Sequence, residues 1–140
     1  MNKLQESSIR ITKSESLDLL YQLSLITEIT DMNQELIDVF NYIINKTKDK
    51  DTGIRAQVSL EYGIKIYSLI GGNDYKDIYI YAEKVFNWVN EKCKDYGTCI
   101  TAGSAVNRTI NFGLSNLLSF KKIDDIFEKA ESFYNWMIKI

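Results

Sequence analysis

One cassette is written three times along the chain, and it constrains the fold more than any other feature. "VFNYIINK" (residues 39–46) returns as "VFNWVNEK" from Val85 and as "FYNWMIKI" from Phe133. Aligned on Asn41, Asn87 and Asn135, the copies lie 46 and 48 residues apart. The residues upstream then fall into register. Met32, Leu36, Val39 and Ile43 match Ile78, Ala82, Val85 and Val89, which match Ile126, Ala130, Phe133 and Met137. Each set has the i, i+4, i+7, i+11 spacing of one apolar stripe on an α-helix, whereas a half-buried strand would alternate with period two. Phe40, Phe86 and Tyr134 come one residue later and widen the stripe to the broad face of a core-facing helix.

Each cassette helix has a partner upstream. "GIRAQVSLEYGIKIYSLI" aligns with "NRTINFGLSNLLSF" at an offset of 50, pairing Leu60 with Ile110, Tyr62 with Phe112, Gly63 with Gly113, Ile64 with Leu114 and Tyr67 with Leu117. A glycine inside an exposed helix costs about 1 kcal/mol relative to alanine, so the shared glycine predicts a close helix crossing. The first unit is more divergent. In it Thr12 and Glu15 are spaced as a capping box, and Asp31 stands as the N-cap of the next helix. Repeats of this period are read as stacked supersecondary units. The expected fold is all-α: about six helices as three related hairpins, in a compact bundle or short solenoid. One domain covers 1–140, with units at roughly 8–47, 52–92 and 102–140 and linkers at "KTKDKDTG" and "NEKCKDYGTCITAGS". The absence of proline suits such a chain.

Composition narrows the chemistry. With 45% hydrophobic and 26% charged residues over 140 positions, the chain can bury a core. A net charge of -2 excludes the strongly basic footprint of a duplex-binding domain. Three arginines (Arg10, Arg55, Arg108) are few for phosphate clamping. The chain has no histidine, which removes the commonest general base and metal ligand, and with it Ser-His-Asp triads and most zinc sites. Asp74 and Asp77, and the run Asp124, Asp125, Glu128 and Glu131, fall at expected helix starts, where acids favour the helix dipole. "GSAVNR" and "LIGGND" read as glycine-containing turns; neither is followed by the Lys-Ser/Thr of a phosphate loop. No catalytic residue, metal site or cofactor is expected, and the chain reads as a non-enzyme. Cys93 and Cys99 in "CKDYGTC" are expected to be reduced thiols. The N-terminal stretch lacks the apolar core of a signal peptide, and no apolar run reaches the roughly 18 residues of a membrane span. A cytoplasmic protein without membrane contact is the expectation.

The candidates for binding are aromatic and amide side chains. Asn41, Asn87 and Asn135 point away from their stripes, either as a ladder of amides offered to a partner or as groups that bond a neighbouring hairpin or water. Tyr42, Trp88 and Trp136 lie beside the stripe, where they can seal contacts between units. "NDYKDIYIYAEKVFNW" places Tyr75, Tyr79 and Phe86 on one flank and Tyr81 and Trp88 on the other, more rings than one hairpin buries. Such rings suit interface hot spots. With Lys76 and Lys84 nearby they also suit stacking on single-stranded bases, which the acidic balance disfavours. The predicted partner-binding set is Tyr75, Tyr79, Tyr81, Trp88, Trp136, Asn87 and Asn135. The expected partner is a protein, with a homo-oligomer such as a dimer as a further use of a repeated surface and single-stranded nucleic acid as the alternative.

"GIRAQVSLEYGIKIYSL" followed by "IYIYAEKVFNWV" resembles small helical segments encoded by bacteriophages and plasmids, in which an Ile-x-Arg-Gln-like start precedes an Ala-Glu-Lys-aromatic-x-Trp helix. Two copies would cover 53–89 and 103–137, although Arg55-Ala56-Gln57 carries an extra residue and the third unit offers Asn107-Arg108 instead. The resemblance implies a mobile-element origin and attaches no activity. A protein of that origin and size would act by occupying a surface, for example to inhibit a host defence or replication factor. Gly63, Tyr67 and Ala82 also fall near the small and aromatic positions of tetratricopeptide repeats, a similarity of packing at a longer period.

Overall fold

A computed structural model describes residues 16–25, 32–72, 74–116 and 122–139. These residues form six helices and no strand: α1 (residues 16–25), α2 (Met32–Lys46), α3 (Lys50–Ile70), α4 (Asp77–Lys92), α5 (Tyr96–Asn116) and α6 (Ile123–Ile138). Thr12, Glu15, Asp31 and Leu117 lie outside the described residues, as does the side chain of Met32.

Both long helices start on the same local device. At α3 the Asp49 side chain accepts the Thr52 N–H at 2.9 Å, and Thr52 Oγ1 accepts the N–H groups of Asp49 and Lys48 at 3.0 and 2.8 Å. At α5 Asp95 and Thr98 repeat every bond, at 2.8, 3.0 and 2.8 Å. Reciprocal capping satisfies donors that the first turn leaves without intrahelical partners. The polar runs read as linkers therefore shrink to residues 47–49 and 93–95, and their acids and threonines belong to helix starts. "GSAVNR" is likewise not a turn but the middle of α5. "LIGGND" does break the chain. Gly71 ends α3 with φ 77°, a left-handed conformation that favours glycine, and donates its N–H to the Tyr67 carbonyl at 2.7 Å. Of the acids expected at helix starts, Asp77, Asp124 and Asp125 sit in the first turns of α4 and α6, whereas Glu128 and Glu131 lie further along α6.

The hairpin α3–α4 is the spine. A Cβ on Gly63 would sit 2.7 Å from the Ile78 carbonyl oxygen and 3.0 Å from Ala82 Cβ, so the two backbones cross in contact there. Around the crossing lie two apolar clusters. The first joins Leu19 and Leu23 of α1 and Val39 and Ile43 of α2 to Leu60, Ile64, Ile78 and Phe86. The second joins Ile66, Val85 and Val89 to Val106 and Ile110 of α5 and Ile126, Ala130 and Tyr134 of α6. Each fully buried aliphatic side chain contributes about 1.5–3 kcal/mol, so α3 and α4, which feed both clusters, hold the units together.

Two features of the repeat differ from the sequence alignment. The caps set α3 and α5 46 residues apart rather than 50. In that frame Ala56, Leu60 and Ile64 match Ala102, Val106 and Ile110, all buried, whereas the offset of 50 pairs Ile64 with Leu114, which is 48% exposed. Gly113 is buried but is four residues out of step with Gly63. In α6 the buried face is Ile123, Ile126, Ala130 and Tyr134, while Phe133 and Met137 are half-buried. Tyr134 takes the core position, with Lys92 of the preceding unit over its ring.

Cys93 and Cys99 are joined by a disulfide, correcting the expectation of free thiols. The three-residue turn and the capped start of α5 bring their Cα atoms to 4.4 Å, within the span such a bond requires.

Candidate binding cleft and the joints between units

The predicted binding residues divide into two groups. Tyr75, Tyr79, Tyr81 and Trp88 are half-buried in contacts between helices. The Tyr75 hydroxyl donates to Asp38 Oδ2 at 3.4 Å, and its ring meets Tyr79 edge-on at 6.5 Å. Tyr79 leans on Tyr42 at 5.7 Å, and Tyr81 donates its hydroxyl to the Gly71 carbonyl at 2.9 Å. Trp88 packs against Phe127 at 6.0 Å and edge-on to Tyr134 at 6.1 Å. Asn87, Asn135 and Trp136 are exposed. The seven residues therefore do not share one open face.

Burial governs the acidity of the phenols. It raises the Tyr42 and Tyr79 hydroxyls well above the usual tyrosine range, with Glu83 adding to the effect at Tyr42 and Asp38 and Glu35 at Tyr79. Tyr75 is pushed up to about 12 by desolvation and by the carboxylates of Glu35 and Asp38. These tyrosines are neutral structural rings, not proton-transfer groups poised near neutrality.

Several of the rings serve a joint that is built twice. Lys46 extends from α2 over the rings of Tyr42 and Phe86, 5.8 and 5.6 Å from their centroids, and its ammonium pairs with Glu83 of α4. Lys92 extends from α4 over Trp88 and Tyr134, 5.3 Å from each, and pairs with Glu131 of α6 at 2.6 Å. One half of the joint is an aromatic followed four residues later by lysine. The other half is an aromatic, a glutamate and an aromatic at the spacing of Tyr79, Glu83 and Phe86 or of Phe127, Glu131 and Tyr134.

A separate feature lies between α3 and α5. Ile54, Val58 and Tyr62 on one side and Ile100, Gly103 and Ser104 on the other enclose a cleft of about 620 Å³, with the Cys93–Cys99 bridge and Tyr96 at one end. Its walls are mainly apolar, and Arg55, which lines it, is fixed by donating Nε–H to Asn90 Oδ1 at 2.9 Å. Ile54, Ile100 and Tyr96 are exposed. Around Gly103 nothing lies within 4 Å of where a Cβ would be, so this mid-helix glycine opens space that the fold leaves unfilled. The sequence reading missed these residues. Ile54 and Ile100 match in the 46-residue frame, and that frame becomes visible only once Asp49–Thr52 and Asp95–Thr98 are recognised as equivalent caps.

Among the described residues no group of three or more histidines, cysteines, aspartates or glutamates is placed to hold a metal ion, and no helix is long and apolar enough to cross a membrane. The chain matches no protein-family model, no curated protein and no solved structure.

Proposed function

We propose that this chain is a non-catalytic protein-binding module that receives an apolar peptide segment, in helical form, in the cleft between α3 and α5. The observation that carries the reading is that cleft. It has exposed isoleucines on both walls and an unfilled space at Gly103 where a partner's side chain can approach the backbone. Stacked helical units commonly bind along the surface formed by successive equivalent helices, and α3 and α5 are such a pair. The finer role is inhibition of a host defence or replication factor by a cytoplasmic phage- or plasmid-encoded protein; it rests on the sequence resemblance and on the chain's size.

The test is panning of a displayed helical-peptide library, followed by titration of the enriched peptides. Binding should be lost in Gly103→Leu and Ile100→Lys, with the helical circular dichroism of both variants unchanged. Enriched peptides that bind both variants as well as the parent would overturn the reading. The alternative, single-stranded nucleic acid, predicts oligonucleotide binding that weakens linearly in log–log with salt. Against it, Lys46 and Lys92, which lie over the rings of the two joints, are already paired with glutamates, and Tyr79 and Trp88 have their rings in helix contacts.

A further inference from the structure

A purely apolar occupant would leave one group of the α3–α5 cleft unsatisfied. The charged side chains that line the cleft are Asp51, Arg55, Lys94 and Asp95. Asp51, Lys94 and Asp95 are exposed, so they keep their water at the rim when a ligand fills the space between the helices. Asp95 is also engaged in capping α5, accepting the Thr98 N–H at 2.8 Å. Arg55 differs. It is half-buried and lies one helical turn before Val58 and Ser59 on the α3 wall.

The Arg55 guanidinium is oriented but not neutralised. Its Nε–H goes to Asn90 Oδ1 of α4 at 2.9 Å, a neutral acceptor that fixes the plane of the group. Among the described residues the ion pairs are made by Lys46, Lys65 and Lys92, and Arg55 makes none, although Asp51 stands four residues before it. With Nε engaged, the rest of the fork is the edge formed by the terminal nitrogens, which pairs with a carboxylate through parallel hydrogen bonds. Covering that edge with apolar side chains alone would strip water from a charge and return nothing, which strongly disfavours binding.

We infer that the cleft selects an amphipathic helical segment carrying an aspartate or glutamate beside its apolar anchors, the carboxylate seated on the terminal nitrogens of Arg55. The anchors supply burial against Ile54, Ile100 and the space at Gly103. The carboxylate supplies register and discrimination, because its paired bonds form in one position only and a segment lacking it leaves the charge stranded. This inference rests on the peptide-binding reading and adds to it the charge that the partner must bring.

Peptides enriched on the full chain test it when titrated against the parent and Arg55→Gln, each peptide as selected and with its acid changed to the amide. The enriched peptides should share an aspartate or glutamate at one position relative to their apolar anchors. Conversion to the amide should weaken binding to the parent about tenfold, as loss of a charge-assisted contact does. It should leave binding to Arg55→Gln unchanged. Arg55→Lys keeps the charge without the fork and should recover only part of the loss. Circular dichroism of Arg55→Gln should match the parent, and the peptide substitution reads the same contact with the protein unaltered. Peptides that are lost in Gly103→Leu yet share no acid, or whose acid can be neutralised without effect on the parent, would overturn this inference and leave the peptide-binding reading standing. An equal drop on the parent and on Arg55→Gln would also overturn it, since the carboxylate would then sit elsewhere. A library that yields no peptide lost in Gly103→Leu would overturn both.

Discussion

At the scale of single residues, two mid-helix glycines with the same intrinsic penalty have opposite surroundings. Gly63 lies against the Ile78 carbonyl, and an added methyl group forces the α3–α4 crossing apart. Gly63→Ala should destabilise by about 1–3 kcal/mol, the usual range for overpacking. Gly103 faces open space, so Gly103→Ala should stabilise by about 0.5–1 kcal/mol through the lost backbone entropy of the unfolded chain. Urea titration of both variants checks the pair, and equal signs would contradict the geometry. Gly63 was legible in the sequence because a glycine following an aromatic inside an apolar stripe has few other uses. Gly103 was not, since "TAGSAVNR" has the composition of a loop and becomes helical through the Asp95–Thr98 cap that precedes it.

At the scale of elements, the cassette acts through its ends. The sequence made its apolar stripe plain, because periodicity within one helix needs no knowledge of neighbours. The joint was hidden, because Lys46 and Glu83 stand far apart in the chain and each alone resembles a solvated surface charge. A half-exposed ion pair contributes about 0–1 kcal/mol, so the lysine stem lying on two rings should matter as much as its charge. Lys92→Met should therefore cost less than about 1 kcal/mol, and Lys92→Ala about 1–2 kcal/mol. Chemical denaturation alongside Glu131→Gln in a double-mutant cycle separates the two contributions. The turn between α4 and α5 permits a similar test. Cys93 and Cys99 are six residues apart, and the loop-entropy relation gives about 2 kcal/mol for so short a loop. Reduction by dithiothreitol should lower the urea midpoint accordingly while leaving the helical signal, because the Asp95 cap holds the helix start without the bridge.

At the scale of the whole molecule, the two apolar clusters share α3 and α4, so loss of either removes support from the other. The buried phenols of Tyr42 and Tyr79, with Tyr75 beside them, couple this fold to alkaline pH. Their hydroxyls are raised in the folded chain above the value near 10 of an exposed tyrosine, so the unfolded chain loses these protons more readily. Their contribution to stability should be fully present below about pH 10 and disappear as pH climbs through 12 and beyond. Above pH 10 a step in tyrosinate absorbance should coincide with the loss of helical circular dichroism, and Tyr79→Phe should shift that step upward.

The middle hairpin has one property its neighbours lack. It carries Tyr79, Glu83 and Phe86 to receive the unit before it and Trp88 and Lys92 to engage the unit after it. A gene segment encoding residues 47–92 could thus be duplicated in tandem and its product would fit itself, Lys92 of the first copy meeting Glu83 of the second. Duplication of the first hairpin would instead set Lys46 of one copy against Ile37 of the next. In this architecture, lengthening by gene duplication is open at the centre and closed at the first unit, and a four-hairpin protein made by doubling the centre should fold with a higher melting temperature than the parent.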